Sequence, residues 1–449
     1  MEVAVQDMTD ARERRAARQK VLLDRYRHTL LCFTMNIAGP EKYNALIHQG
    51  MDIGHALLKQ GFLRLGIEPI FQEFNAARTG CERFYVLPLA PEEAKRMGTD
   101  IEEASPLGRL FDMDVIRPDG AKVERQEIGI PGRRCLICGG EVWVCARART
   151  HSAAELREKT EEILRAAIFR SRREQIARLA CQALLAEADA TPKPGLVDRE
   201  NNGSHRDMDI FTFAASSAAL WPYFARCAAI GLDTARQSPL KTFEKIRLQG
   251  RIAEGEMLAA TGGVNTHKGA IFSVGLVCAA AGRLEPSLWR REDILLGECA
   301  AMTAGLTERD FSGLTQANAK TAGQRLYLQH GVAGVRGEAE RGFPLVRFVG
   351  LPRLEAALEA GLSLNDAGCA ALIALMAQNV DTNVIHRSDL ETQRRVADRA
   401  AAMLKETPYP DHRALRQFDR SLIEANISPG GSADLLALCY LLHFLKEAV

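Results

Sequence analysis

The chain has 449 residues, 47% of them hydrophobic, which suits two or three domains rather than one. A formal net charge of +1 excludes a global basic field for nucleic acid. The 11 cysteines are scattered, several of them in apolar runs (Cys227, Cys278, Cys369, Cys439), as expected of reduced thiols in a cytoplasmic protein rather than a disulfide framework. The opening Met-Glu-Val-Ala-Val-Gln-Asp lacks a signal-peptide core, and no run of 18 apolar residues occurs, so no membrane span or membrane partner is expected.

Residues 10–31 read as a basic helix. Arg12, Arg14, Arg15 and Arg18 crowd it with Gln19; Arg14 and Arg18 share one face, Arg15 and Gln19 another. This face either binds pyrophosphate or is a solvated basic surface. A break at Gly39-Pro40 follows. Short strand-like stretches at Arg83–Leu87, Leu110–Ile116 and Glu141–Cys145, with turn signals at Pro118-Asp-Gly120 and Pro131-Gly132, predict an α+β domain. From about residue 155 the texture changes. Ala/Leu-rich segments recur at helical spacing over Glu155–Ala190, Phe211–Gly231, Ile252–Ala260, Ile271–Ala281, Ile294–Leu306, Glu355–Leu362, Ala367–Asn379 and Ala433–Ala448. Alternating strand patterns are almost missing, which predicts an all-α domain with its chemistry on interhelical loops. The boundary falls in the charged stretch Arg157–Gln175 and is set between 168 and 169, giving domains 1–168 and 169–449.

Four clusters carry chemistry. Gly108-Arg-Leu-Phe-Asp-Met-Asp-Val115 alternates, so on a strand Asp112 and Asp114 point to one face. Two such carboxylates repel unless a cation lies between them, and Mg²⁺ shared with substrate phosphates is the usual resolution; two unrelated acids on a solvated face are the alternative. Arg109 stands ready to neutralise phosphate charge. Cys135-x-x-Cys138 with Cys145 and His151 has partial zinc-ligand character: the first pair suits half a site, but the remaining spacing is not a standard pair, and incidental thiols are the simpler reading. Thr191–Asp209 packs Lys193, Asp198, Asn202, His205, Asp207 and Asp209 into one loop, with residue types for Mg²⁺ ligation and phosphate pairing; a capped helix start also explains Asp207-Met-Asp209. Thr261-Gly-Gly-Val-Asn-Thr-His-Lys-Gly269 opens a helix and turns backbone N–H groups and a cation toward an anion, without the spacing of a Walker loop. Glu254 lies one helical segment earlier. Weaker polar loops follow at Lys320-Thr321, Gly334–Glu338, Asp381-Thr-Asn383 and Ser428–Asp434, as in a helical bundle with its site at one end.

Taken in order, Lys193–Asp198, Asn202–Met208, Gly262–Gly269, Arg336-Gly-Glu-Ala339, Asp381–Asn383 and Ser428–Asp434 resemble the ATP:dephospho-CoA triphosphoribosyltransferase family, across roughly 250 residues. Arg15-x-x-Arg18-Gln19, Met35–Pro40, Gly108–Val115 and Arg134–Cys138 with Cys145-Ala-Arg147 resemble the citrate lyase holo-acyl-carrier-protein synthase family, a phosphoribosyl-dephospho-CoA transferase. The resemblance implies a fusion of the two, with a nucleotidyltransferase-like N-terminal domain, although no Gly-Ser turn and helix precede the D-x-D strand. It implies that ATP and 3′-dephospho-CoA give the 2′-triphosphoribosyl derivative and adenine. The product would then pass to a serine of the citrate lyase acyl carrier protein (γ subunit), with loss of pyrophosphate. Implied roles are Mg²⁺ at Asp112, Asp114, Asp207 and Asp209, and proton transfer at Asp198 or Glu254. Phosphate or substrate contacts would come from Arg15, Arg18, Arg109, Lys193, His205, Asn265, His267, Lys268 and Arg336. An equivalent enzyme for malonate decarboxylase, a phosphohydrolase with a di-metal site on His205, Asp207, His267 and Asp381, and a non-enzymatic scaffold are the competing readings.

Overall fold

The computed structural model describes residues 3–449, which divide into two compact units at Ser171 and Arg172. Helix α1 (Val5–Tyr26) ends where Arg27 turns left-handed, its N–H bonded back to the Leu23 carbonyl, and strand β1 (Thr29–Met35) begins at once. The helix expected to reach Leu31 therefore stops short. Thr29–Thr34 is a wholly buried run, the mark of a strand covered on both faces, and it carries no period-2 signal to separate it from a helix. Helix α2 (Ala45–Arg64), hairpin strands β2 (Phe71–Ala77) and β3 (Gly80–Leu87), helix α3 (Pro91–Glu103) and strand β4 (Phe111–Ile116) complete the first layer structure. The sheet is antiparallel in the order β2-β3-β1-β4, with Thr34 opposite Asp112 and Cys32 opposite Asp114.

The two sheet faces differ. Leu31, Phe33, Tyr85, Phe111, Met113 and Val115 form one core with α2 and α3. Cys32, Phe84 and Val86 form a smaller one with Leu22 and Leu23 of α1, and this is the face that carries the Asp112–Asp114 pair. β4 is an edge strand, yet its outer edge is spent. The buried Glu102 carboxylate accepts from Met113 N–H (2.7 Å), the buried Lys95 ammonium donates to Met113 C=O (3.0 Å), and Val123 N–H bonds Val115 C=O (2.9 Å). Glu141–Cys145, expected as strand, is instead part of helix α4 (Val142–Ala148). Among the described residues its β-branched side chains find no strand to pair with, and the ladder contact beside it is the isolated Arg134–Glu141 bridge.

The second unit is all helical among the described residues, as its periodicity predicts. Helix α5 (Ala153–Asp189) contains the division between the units, with Ile163 and Leu164 in the first core and Ile176 to Leu184 in the second. Helices α6 (Ile210–Thr234), α7 (Pro239–Ala260) and α8 (Lys268–Arg283) pack together, followed by shorter helices and the C-terminal helix Gly430–Glu447. α6 and α8 approach at reciprocal glycines: a Cβ at Gly231 would lie 2.1 Å from the Ala279 carbonyl oxygen, and one at Gly282 would lie 2.3 Å from that of Ala228. Among the described residues, no helix is long and apolar enough to cross a membrane.

Gly231→Ala should therefore lower stability by about 1–3 kcal/mol, the scale of overpacking. Gly255→Ala, on the open surface of α7 with no atom within 4 Å of the new methyl, should raise it by roughly 0.5–1 kcal/mol. Urea-unfolding midpoints of the two variants decide it; a Gly231→Ala midpoint at or above wild type would refute the close crossing.

Candidate active sites

In the second unit the polar loops converge on a cavity of about 910 Å³. Loop 191–209 is folded around Asp198, whose carboxylate accepts from the backbone N–H groups of Lys193 (2.9 Å), Glu200 (2.7 Å) and Asn201 (3.0 Å). It is anchored to the far helices by Gly195 N–H and Asn201 Nδ2 on Asp419, and by Ser204 Oγ on the Ile427 carbonyl (2.6 Å). Asp381, buried, accepts from Asn383 N–H (2.9 Å), Ser432 N–H (2.8 Å), Ser432 Oγ (3.0 Å) and Gly431 N–H (3.2 Å). Gly269 allows Asp434 to sit against the start of α8, since a Cβ there would fall 1.9 Å from Asp434 Oδ2. These contacts explain why loops far apart in sequence carry glycines and acids at matched positions.

The cavity wall places charge deliberately. Lys193 is 1% exposed, and its Nζ donates to Glu187 Oε1 (2.5 Å) and to the Glu187 carbonyl (2.6 Å); both residues line the cavity. Burial pushes the Asp434 carboxyl well above the usual carboxylate range, reinforced by Glu187 and Asp381. His205 bonds Ser428 Oγ (2.9 Å) and faces Arg387 (3.2 Å). Burial, then the Arg387 charge, lower its pKa and keep the ring neutral at pH 7. His267 Nδ1 is 2.7 Å from Ser216 Oγ, while its Nε2 is buried without a hydrogen-bond partner. Burial, then Lys193, drive the His267 pKa down to about 3. Lys268, at the first turn of α8, is half exposed and pairs with Glu254 at 2.9 Å.

Of the residues singled out in the sequence, Lys193, His205, Asp207, Asn265, His267 and Lys268 line this cavity. Asp198 lies behind it as the organiser of its loop. Asp209 is the N-cap of α6, accepting from Thr212 N–H (2.8 Å) and Thr212 Oγ1 (2.7 Å). Glu254 holds Lys268, and Arg336 pairs with Asp310 (2.9 Å). Glu187, Glu338, Arg341 and Arg387 line the cavity but were not singled out as site residues. Glu187 lies in the Ala/Leu-rich run of α5 two residues before Asp189, and nothing in the sequence separates this buried acid from its exposed neighbour. His205, Asp207, His267 and Asp381 form no metal-ligand cluster among the described residues.

In the first unit, Asp112 lies 3.1 Å from Arg133 Nη2 and Asp114 2.7 Å from Lys122 Nζ. Burial, then the Asp114 charge, raise the Asp112 pKa, which marks a site that favours an added cation. Arg15 pairs with Glu82 (2.7 Å) and Arg18 with Glu73 (2.5 Å) across the same sheet face. A neighbouring cavity of about 290 Å³ is lined by Arg109, Arg125, Arg133 and Arg134 with Glu102 and Glu103. Arg133 also reaches Glu102 (2.6 Å), and Arg109 Nη2 donates to the Arg134 carbonyl. The Sγ atoms of Cys135, Cys138 and Cys145 gather with a His151 ring nitrogen, a convergence that spacing alone did not foresee.

Two outcomes follow from these charges. Lys193→Met strands the buried Glu187 carboxylate and should cost about 3–5 kcal/mol, whereas Lys193→Met with Glu187→Leu should recover most of it; a double-mutant cycle by chemical denaturation checks this. Between pH 6.5 and about 3 the unfolded chain carries a proton on residue 267 that the folded chain refuses, so this residue makes stability fall as the pH falls. His267→Gln should make the acid side of the stability profile shallower by up to one proton; an unchanged slope would show that the ring titrates normally.

The model of the ATP:dephospho-CoA triphosphoribosyl transferase family matches residues 173–449, and that of the apo-citrate lyase phosphoribosyl-dephospho-CoA transferase family matches residues 3–167. Protein CitXG of Haemophilus influenzae is 37% identical over 448 residues, covering 97% of this chain and 95% of that protein. The 2-(5''-triphosphoribosyl)-3'-dephosphocoenzyme-A synthase of Pectobacterium atrosepticum is 45% identical over 262 residues, covering 58% of this chain and 86% of that protein. The probable synthase of the same name from Albidiferax ferrireducens is 45% identical over 284 residues, covering 62% and 92%. The chain thus belongs to the ATP:dephospho-CoA triphosphoribosyl transferase family through its second unit and to the apo-citrate lyase phosphoribosyl-dephospho-CoA transferase family through its first, in the fused order of Protein CitXG.

Proposed function

We propose that this chain both makes and attaches the citrate lyase prosthetic group. The observation that carries the reading is the match to Protein CitXG along almost the whole chain, together with the cavity built from the loops that carry the second family's motifs.

In the second unit, the 2′-hydroxyl of 3′-dephospho-CoA attacks C1 of the ATP ribose and adenine leaves with the bonding electrons. The C1 centre passes through an oxocarbenium-like state, so the leaving base needs a proton and the attacking hydroxyl must lose one. Asp434, whose proton affinity burial raises, is the donor to adenine. His205, held neutral, accepts the hydroxyl proton. Lys193, Lys268, Arg387 and the N-terminus of α8 bind the triphosphate. Asp207 lines the cavity with its side chain 65% exposed, which leaves it free to hold a Mg²⁺ ion. Asp209 retains only its second oxygen for such a role. A bound Mg²⁺ would neutralise triphosphate charge. The assignment of Asp434 and His205 to proton transfer replaces Asp198 and Glu254, because those two are engaged outside the cavity wall.

In the first unit, a serine hydroxyl of the apo acyl carrier protein attacks the α-phosphorus and pyrophosphate leaves. Asp112 and Asp114 fit Mg²⁺, which takes one or two carboxylates plus substrate phosphates. Arg133 stands beside Asp112, and Arg109 and Arg134 line the neighbouring cavity with it, for the phosphate oxygens. Arg15 and Arg18 are the more distant phosphate contacts. An antiparallel sheet with both aspartates on one face of an edge strand supports the nucleotidyltransferase-like reading of this unit.

Adenine release from ATP and Mg²⁺ should require 3′-dephospho-CoA; ADP or phosphate without free adenine would sink the proposal. Asp112→Ala should leave adenine release intact and reduce transfer to the carrier by about a hundredfold or more, the scale of losing one electrostatic stabiliser. Loss of both activities together would argue against two separate sites.

A further inference from the structure

We infer that Cys135, Cys138, Cys145 and His151 bind one structural zinc ion. Their ligand atoms lie within 4.8 Å of one another, and Cys138 Sγ and Cys145 Sγ are 3.4 Å apart. A tetrahedral zinc with three sulfur ligands and one nitrogen has edges of roughly 3.5–3.8 Å. The spacing is that of a shared ion rather than of a covalent bond, and all three thiols are free.

The backbone is shaped to present them. Gly139 N–H bonds the Cys135 carbonyl (3.1 Å) and Cys135 N–H bonds the Gly140 carbonyl (2.5 Å), which closes a tight knuckle around the first pair. Gly139 takes φ +70° there. α4 then presents Cys145. Arg149 turns left-handed at its end, and Thr150 N–H returns to the Cys145 carbonyl (3.1 Å), which brings His151 back to the thiols. His151 Nε2 is buried and has no hydrogen-bond partner. One ring nitrogen of His151 lies within 4.8 Å of all three sulfurs, and a ring with a buried, unpartnered nitrogen beside three thiols is what an ion would satisfy.

The segment also needs a fastener. No residue of α4 is buried, and Trp143 is 63% exposed. Residues 135–151 hold Cys135 as their one buried hydrophobic residue and no core of their own. Where a core is missing, ligand bonds to a metal supply the folding energy instead. Thiolates select zinc over the hard Mg²⁺, and four protein ligands leave no open position for catalysis. On binding, each thiol gives its proton to solvent and the imidazole binds neutral. The consequence is positional. The knuckle fixes Arg133 against Asp112 and the Arg134 carbonyl against Arg109, so the zinc steadies the guanidinium groups of the first unit. The metal assignment itself is independent of the reaction proposed above.

The test is metal analysis of the full-length chain purified under reducing conditions without affinity metals. The expected result is one zinc per chain, absent from Cys138→Ser/Cys145→Ser and retained in His151→Cys. Co²⁺ exchanged into the unmodified chain should show thiolate charge-transfer absorption and tetrahedral d–d bands, a readout that needs no variant to fold. A chain that takes up neither Zn²⁺ nor Co²⁺ overturns the inference. So does zinc retained in the double serine variant, or a Cys138–Cys145 disulfide under the same reducing conditions.

Discussion

The second unit depends on one buried carboxylate. Among the described residues no cation pairs with Asp381; it is satisfied by the N–H groups of Asn383, Gly431 and Ser432, from two segments far apart in sequence, and burial pushes its proton affinity up. A carboxylate buried without such donors would cost several kcal/mol. That constraint draws the Asp381–Asn383 turn onto the start of the C-terminal helix. It also fixes Asp434 beyond it, and Asp434 in turn demands a residue without a side chain at 269. The cavity is the space left when these loops lock.

The first unit solves a different electrostatic problem. Its sheet face gathers Asp112, Asp114, Glu82 and Glu73, and each acid has a cation opposite it: Arg133, Lys122, Arg15 and Arg18. The carboxylates of β4 are held in place by side chains from elsewhere in the chain, so removing one cation leaves a repelling pair on a rigid strand. The arrangement suits phosphate chemistry, in which an anionic substrate and its counter-ion enter together.

Periodicity of apolar residues made the second half legible, although Lys268–Arg283, Leu364–Gln378 and Gly430–Glu447 are buried nearly all round rather than along one stripe. It also placed Asp112 and Asp114 on one face. It failed for Thr29–Met35, where burial on both faces erases alternation, and for Glu141–Cys145, where strand-forming residues have no strand to join. Lys193, His205 and Lys268 could be found because they sit in dense polar loops. Glu187 and Arg387 could not, because they lie within helical runs and gain meaning only from what folds against them. Cys145 and His151 were visible as residue types, but their meeting with Cys135 and Cys138 comes from one helical turn and one left-handed residue, which spacing does not encode. Asp198 shows the opposite case: a reactive residue in a dense motif whose oxygens are all taken by its own loop.

The spent outer edge of β4 limits how another protein can be recognised. Lys95, Glu102 and Val123 already occupy the groups that a visiting strand would need, so sheet extension at this border is closed. β2 is the opposite border of the sheet. Any protein that docks at this border must therefore be held by side chains and surface shape, not by backbone pairing with β4.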